Sequence, residues 1–553
     1  MKRKDVIFLF FLLILLSLIN QHSSFSKTFS QDFLDKLLLR KNTIFEYLAS
    51  TEKTSYFEAL ESSAEKFDGE WERVVKDGID DLNNDYAWAM SEYTDIYGRK
   101  WLYVGTLNTT ATFPYTSQAK VYRSQDGKNW EYVRSFSGCS GVRGATEYGG
   151  LLWLGMLNSE AGCQVWITDG ENWRQANQDG FGIEGKPRST RGITCYRGDL
   201  YADAGQLESG ESARIFKYTG PLTPGDINSI DPSRWEDVTP AWENPVNSIS
   251  EMVQYHGDLY IGTFDKSIVG GAYSGLGCEV WRFDGDGTET WQRINEHGFG
   301  DTKNGAVLSM VVFKDKLYAG TQNFNLDKID SLSDFADGAE IWRWDGESWE
   351  CVVSNGNPGG KENRFDNMYI WRMIEYKDEL VVGTMNLLRG GELWASPTGD
   401  AESFRLISDP GMRRDTRRVP VLFEYQGNDI RFNLSEQYGI RTVAKFNDIL
   451  YVGTASWAAF VDLICWITLG LADPYAPEGT YPYSPKVGCE IWRIKNLSET
   501  SLALGPYPNP CSLSATGKLT IDRLPENATV YIYTISGELV KILSPSFPLT
   551  DRA

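Results

Sequence analysis

One phrase returns seven times along the 553 residues of this chain. It reads "LYVGT" from Leu102, "LWLGM" from Leu152, "LYADA" from Leu200, "LYIGT" from Leu259, "LYAGT" from Leu317, "LVVGT" from Leu380 and "LYVGT" from Leu450, at spacings of 50, 48, 59, 58, 63 and 70 residues. Repetition at this period means an array of like units, none able to bury its apolar face alone. A second phrase follows each copy: "AKVYRSQDGKNW", "CQVWITDGENW", "CEVWRFDGDGTETW" and "AEIWRWDGESW", with looser forms "ARIFKYTG", "GELWASPTGD" and "CEIWRIKN". Alternating apolar residues broken by DG or GD are hairpin signals. Each unit therefore holds an inner strand, the "LYxGT" strand, an "E-x-W-R" strand and an outer strand opening on Trp. Four antiparallel strands per repeat predict the blade of a β-propeller.

The last unit lacks an outer strand after "CEIWRIK". The missing piece stands at the other end, in "FDGEWERVVKDGIDDLNN" (Phe67 to Asn84), which matches "WDGESWECVV" of the fifth unit. Trp71 to Val75 is expected to close blade seven, so that no strand edge is left free. The fold class is then all-β, a seven-bladed β-propeller closed by an N-terminal outer strand. Trp166, Trp281, Trp342, Trp394 and Trp492 share one repeat position, and Trp71, Trp130, Trp173, Trp235, Trp291 and Trp349 another. A ring needed in every blade belongs to contacts between neighbouring sheets rather than to a ligand platform. In "FDGDGTETW", Asp284, Asp286 and Thr288 alternate like the start of a calcium loop. Such a loop needs Gly where Glu289 stands and a carboxylate where Asn295 stands, so the stretch reads as a hairpin turn.

Outside the ring, Leu34, Leu37, Leu38, Ile44, Tyr47 and Leu48 recur at roughly helical spacing within Gln31 to Glu65, predicting short N-terminal helices. At the other end, "KLTIDRL" and "TVYIYTISGELVKIL" alternate like strands of a small C-terminal β-sandwich-like segment. The boundaries read are a signal peptide at 1–26, a helical extension at 27–66, the propeller at 67–497 and a linker with the β segment at 498–553. Lys2, Arg3 and Lys4 precede the apolar run Val6 to Ile19 and a polar stretch, the pattern of an export signal. That run is short of the roughly 20 residues a membrane span needs, so no stable span is expected in the mature chain. An uncleaved signal anchor is the alternative.

A net charge of −21 repels a phosphate backbone and argues against nucleic acid as a partner. Three His residues are too few for a His-based metal site. With no G-x-S-x-G, HExxH, P-loop or CxxC metal pair, no metal, cofactor or catalytic residue is assigned. Eight Cys in an exported chain suit disulfides, with Cys139–Cys163 and Cys465–Cys489 as candidate pairs; buried free thiols are the alternative.

The run "YPNP" followed by "LTIDRLPENATVYIYTISGELVKIL" resembles the C-terminal sorting domains of type IX-secreted bacterial proteins. Those domains are similar to the immunoglobulin-like fold of flagellar hook-capping proteins. The resemblance implies a secreted or cell-surface protein. "SQDGKNW" (Ser124 to Trp130) resembles the Asp-box of sialidase-type repeats, one residue shorter. The "LYVGT…EVWR" phrase is similar to repeats of exported bacterial propellers, and kelch-like propellers share the plan. Over residues 67–497 this resemblance implies architecture only, because such folds host many functions.

Propeller geometry says where a site would be. The long connections "TTATFPYTSQ", "DKSIVGGAYSGLG", "FNLDKIDSLSDFADG" and Trp457 to Val487 all fall on one face, the usual place for binding. That face also receives the start of each inner strand. Counting back five residues from the aromatic that ends the strand gives Arg143, Arg191 and Arg441; four back gives Arg372 and Glu251. Their expected place is the channel mouth, where Arg forks suit carboxylate, sulfate or phosphate. A three-Arg cluster resembles the carboxylate clamp of sialidases. The structural alternative is that each Arg holds a loop carbonyl or an acid of the next blade. Glu147, Glu375 and Tyr369 are expected near the same mouth. The apolar insert "SWAAFVDLICWITLGLA" and the basic "RRDTRR" read as a helix laid over the loops and a solvated loop. The expected function is binding, at or outside the cell surface, of a glycan, an acidic ligand or a protein partner. The alternative is a carbohydrate-active enzyme, a glycan hydrolase or lyase built on the Arg cluster.

Overall fold

The structure is a computed structural model. It describes residues 71–108, 118–207, 211–265, 275–284, 290–323, 337–359, 367–386, 389–408, 410–412, 418–425, 428–435, 437–456, 488–495, 530–533 and 539–543. The signal peptide and helical extension expected at 1–66, Cys465, and most of the apolar insert, of the four long connections and of "RRDTRR" lie outside the described residues.

Seven antiparallel blades of four strands surround a central channel. Their inner strands are Asn84–Thr94, Cys139–Tyr148, Ile193–Tyr196, Ser248–Tyr255, Asn304–Phe313, Asn367–Tyr376 and Gln437–Phe446. Ring closure is made by Trp71–Val75, which pairs antiparallel with Ile491–Ile494 and places Trp71 opposite Ile494. An insertion between blades 6 and 7 forms a separate ribbon, Arg418–Tyr425 against Asn428–Ser435. The chain divides into two compact units, Met1–Ile494 and Lys495–Ala553. The second contains a hairpin, Val530–Tyr533 with Leu539–Leu543.

Each letter of the repeat has a physical task. The leading Leu of all seven "LYxGT" copies is fully buried. The Gly faces the inner strand of the next blade: a Cβ on Gly105, Gly320 or Gly383 would lie 2.4, 2.4 or 2.5 Å from Val142, Ile370 or Ile440. The Thr hydroxyl accepts the backbone N–H that opens the third strand, at 2.7 to 3.1 Å for Thr106, Thr263, Thr321, Thr384 and Thr454. In "E-x-W", the indole N–H of Trp281, Trp342, Trp394 and Trp492 donates to the Glu two residues earlier, a carboxylate that also takes up a second group, such as Asn304 on Glu340 or Asn367 on Glu392. In the DG turns, Asp126, Asp169 and Asp345 each accept two backbone N–H groups, which explains the fixed Asp.

Blades are tied to one another as regularly. The Tyr ending an inner strand donates to a turn carbonyl of the next blade: Tyr93 to Gly150, Tyr148 to Gly198, Tyr196 to Gly257, Tyr255 to Asp315 and Tyr376 to Asp448, all at 3.0 to 3.1 Å. The outer-strand Trp donates to the preceding blade: Trp71 to Ile407 O, Trp235 to Ala176 O, Trp291 to Val238 O and Trp349 to Ile294 O. Both Trp sets therefore act in the scaffold. Cys139, Cys163 and Cys489 are free, fully buried thiols, so the Cys139–Cys163 disulfide is not formed. The Cys139 thiol donates instead to Gln164 Oε1 at 3.3 Å.

Two substitutions test this scheme. Trp71→Ala removes both the closing strand's main apolar anchor and its bond to blade 6, and should lower unfolding free energy by about 3–5 kcal/mol in urea titrations. Gly320→Ala forces a methyl into Ile370 and should cost about 1–3 kcal/mol. A loss below about 0.5 kcal/mol for either would contradict the assigned contact.

Candidate functional site

The site begins with a repeated irregularity in strand pairing. In six blades the ladder between inner and second strand skips one inner residue opposite the Gly-Thr step or its equivalent. The skipped residues are Trp88, Arg143, Ser250, Leu308, Trp371 and Arg441. In blade 3, Arg191 holds the same place just ahead of Ile193–Tyr196. A bulge bends its strand and re-aims the extra side chain. Six bulges and the equivalent position in blade 3 thus present a layer into the channel at one height: Trp88, Arg143, Arg191, Ser250, Leu308, Trp371 and Arg441. The next residues make a second layer: Ala89, Gly144, Gly192, Glu251, Ser309, Arg372 and Thr442.

The structure brings all five sequence-derived residues together. Arg143, Arg191, Arg372 and Glu251 line a cavity of about 240 Å³, with Ser250, Ser309 and Thr442 among its polar neighbours. Arg441 lies in the same bulge layer, its guanidinium carbon 4.8 Å from the Trp88 ring centre and 4.9 Å from that of Trp371. Arg143 covers the other side of Trp88 at 4.9 Å. Trp371, Arg441, Trp88 and Arg143 thus form an alternating stack across four blades, in which ring quadrupoles offset the burial of cations.

Hydrogen bonds cross the channel. Arg372 Nη1 donates to Glu251 Oε2 at 3.1 Å, and its Nε donates to Arg441 O at 3.2 Å. Arg191 Nη2 donates to Leu308 O at 3.1 Å, and Arg143 Nη1 to Ser189 Oγ at 2.6 Å. The structural alternative is therefore met in part, with Leu308 O and Glu251 as the partners. It does not account for every donor: Arg143 Nε, Arg191 Nε and Arg441 Nε and Nη1 are buried and have no hydrogen-bond acceptor.

The location differs from the expected channel mouth. An inner strand of ten residues spans about 33 Å, so a residue four or five from its end sits mid-channel. Tyr86, Tyr369 and Tyr438, earlier on their strands, form an aromatic cluster around Trp371 on the long-connection side. Residues lining the cavity, such as Met90, Ala145, Ile193, Met310 and Ile374, lie at or beyond the bulge, toward the short inner hairpins. Tyr369 is thus separated from the cavity by the bulge layer. Glu375 is taken up by Lys445 at 2.8 Å, and Glu147 is exposed near its strand's end.

Electrostatics follow from crowding. Burial pushes the Arg143 guanidinium down to about 10, with Asp203 opposing the shift and Arg372 adding to it. Burial, then repulsion from Arg372 and the neighbouring guanidiniums, holds Arg191 and Arg441 well below the ordinary arginine value. Burial lowers Arg372 as well, against the attraction of Glu251. Arginine stays charged through shifts of this kind, so their direction reports burial first and, for Arg191 and Arg441, mutual repulsion of the guanidiniums second. Burial raises Glu251 even though Arg372, Arg191 and Arg441 favour its charge.

Sequence reasoning missed three residues. Trp88 and Trp371 stand five before Tyr93 and Tyr376, so the count that found the arginines would also have found them. Asp203 replaces the repeat's Gly in "LYADA". Fully buried, its Oδ1 accepts from the N–H groups of Arg191 and Gly192 at 2.6 and 2.9 Å, and Oδ2 from Ile249 N at 3.3 Å. It fixes the backbone that carries Arg191. Among the described residues no group of His, Cys, Asp and Glu could hold a metal ion, and no helix is long and apolar enough to cross a membrane.

Burial lifts Asp203 to about 6, against the N–H donors and Arg143. The folded value exceeds the unfolded one near 3.9, so the folded state holds this proton more tightly. Its contribution to stability is complete below about pH 4 and is lost as pH rises to about 6, a change of roughly 3 kcal/mol. Urea unfolding of the wild type and Asp203→Asn at pH 4 and 7 should show that component in the wild type alone. Equal pH slopes would contradict it.

No family model matches the chain, and no curated protein matches it in sequence. Among solved structures it is similar to a triple arginine-to-alanine mutant of AofleA from Arthrobotrys oligospora, with 11% identity and a TM-score of 0.36 over 60% of this chain and 89% of that one. It is also similar to an alpha-L-arabinofuranosidase from Clostridium thermocellum, with 14% identity and a TM-score of 0.27 over 49% and 94%. A third likeness is to a 6-phosphogluconolactonase candidate from Bacteroides uniformis, with 10% identity and a TM-score of 0.35 over 58% and 86%. Likenesses at this level bear on neither ligand nor activity.

Proposed function

We propose that this is an exported binding protein whose propeller channel receives the acidic group of a ligand, either a small acid or an acidic glycan. The observation that carries the reading is the meeting of Arg143, Arg191, Arg372 and Arg441, from blades 2, 3, 6 and 7, around and behind one cavity. Like charges brought together out of water are costly unless an anion joins them. Guanidinium forks bind carboxylate, sulfate and phosphate through paired, charge-assisted bonds. Export is supported by the basic and apolar N-terminus and by the sorting-like C-terminal sequence.

Binding is favoured over hydrolysis by what faces the cavity. Glycosidases in general place two carboxyl groups about the scissile bond, whereas Glu251 is the one carboxylate among the described residues lining it.

Calorimetric titration with sulfate, acetate, glucuronate and sulfated oligosaccharides tests the reading. At least one should bind, and Arg191→Ala or Arg372→Ala should weaken it about 10- to 100-fold, as expected for a charged hydrogen bond of about 1.5–3 kcal/mol. Unchanged affinity in both variants, or turnover of a glycan by the wild type, would contradict it.

A further inference from the structure

The guanidinium cluster already contains an anion of its own. Glu251 reaches from blade 4 to Arg372 of blade 6, 3.1 Å away, and is also attracted by Arg191 and Arg441. Its side chain is 29% exposed and that of Arg372 14%, so this pair meets solvent while the bulge layer beneath is buried. Four guanidiniums face two carboxylates, Glu251 and Asp203, which leaves two positive charges over. Through one oxygen Glu251 engages Arg372, and it leaves the free donors on Arg143, Arg191 and Arg441 unserved.

We propose that Glu251 is a resident competitor, which fills the guanidinium cluster until a doubly charged oxyanion group of a ligand displaces it. This inference rests on the channel being an anion site. The selectivity follows from exchange. A monocarboxylate would replace one carboxylate by another and gain little. A phosphate monoester, a sulfate ion or a paired dicarboxylate brings a second charge and more acceptor oxygens to the guanidiniums that line the cavity, Arg143, Arg191 and Arg372. Its partial exposure gives Glu251 water to move into.

Acid should assist the exchange, because a protonated Glu251 no longer competes. The charged groups facing it are Arg372 from blade 6, Arg191 from blade 3 and Arg441 from blade 7, with Arg143 of blade 2 and Asp203 of blade 3 close behind. Blades 1 and 5 contribute only uncharged lining residues, among them Trp88, Met90, Ser309 and Met310. Asp203 titrates in the same direction, so the difference between the wild type and a Glu251 variant isolates Glu251.

Sulfate is the probe, since it remains a dianion from pH 5 to 7.5, titrated calorimetrically into the full chain at constant ionic strength. The wild type should bind sulfate at least about tenfold more tightly than acetate, and more tightly at pH 5 than at 7.5. Glu251→Gln should bind sulfate about tenfold more tightly than the wild type at pH 7.5, with a shallower pH dependence. Its melting temperature without sulfate should fall below that of the wild type and rise further on adding sulfate, a readout that also shows the variant is folded. Equal or weaker sulfate binding by Glu251→Gln, or a wild-type preference for acetate, overturns the competitor while leaving the anion site standing. A wild type that binds neither anion at either pH overturns the competitor, and if glucuronate and the sulfated oligosaccharides also fail to bind it overturns the anion site as well.

Discussion

Everything in this propeller depends on how closely each second strand approaches the next blade. The Gly of "LYxGT" lets Val142, Ile370 or Ile440 come within 2.4 to 2.5 Å of where a Cβ would stand. At that distance a side chain on the second strand and an apolar residue on the neighbouring inner strand cannot both be accommodated. Glycine in the repeat is thus a consequence of wedge geometry: blades are narrowest and most crowded at the channel. The inner-strand bulges sit opposite this same step, so one constraint produces both the tight ring and the layer of side chains turned into its centre.

Blade 3 shows what happens when the rule is relaxed. Asp203 stands where Gly is usual, and its carboxylate fills the space by accepting the N–H groups of Arg191, Gly192 and Ile249. The inner strand there is shortened to Ile193–Tyr196, and Arg191 is carried on backbone held by a side chain rather than by a ladder. A buried carboxylate beside Arg143 also supplies part of the counter-charge the cluster needs. The chain therefore departs from its own repeat where it has positive charge to hold.

Architecture was legible because it is periodic. Seven copies of one phrase, and an outer strand missing at one end and present at the other, led to the closed ring that Trp71 and Ile494 complete. The five site residues were legible for the same reason, since each lies four or five residues from a repeated aromatic. Their depth was misjudged because strand length, about 3.3 Å per residue, places them far from either end. Trp88 and Trp371 went unread because most other Trp residues fall at the two scaffold positions, and these two do not. The bulges depend on pairing register, which no single strand's sequence contains. Asp203 was visible as a departure, yet its partners come from the neighbouring strand and blade.

The central claim is that this channel is a place for an anion. Crystals soaked in selenate and measured at the selenium edge test it most directly. The account predicts an anomalous peak in the channel within hydrogen-bonding distance of Arg191 and Arg372, with the Glu251 carboxylate moved away from Arg372. A channel without a peak, or selenate bound only on the face of the long connections, would contradict it.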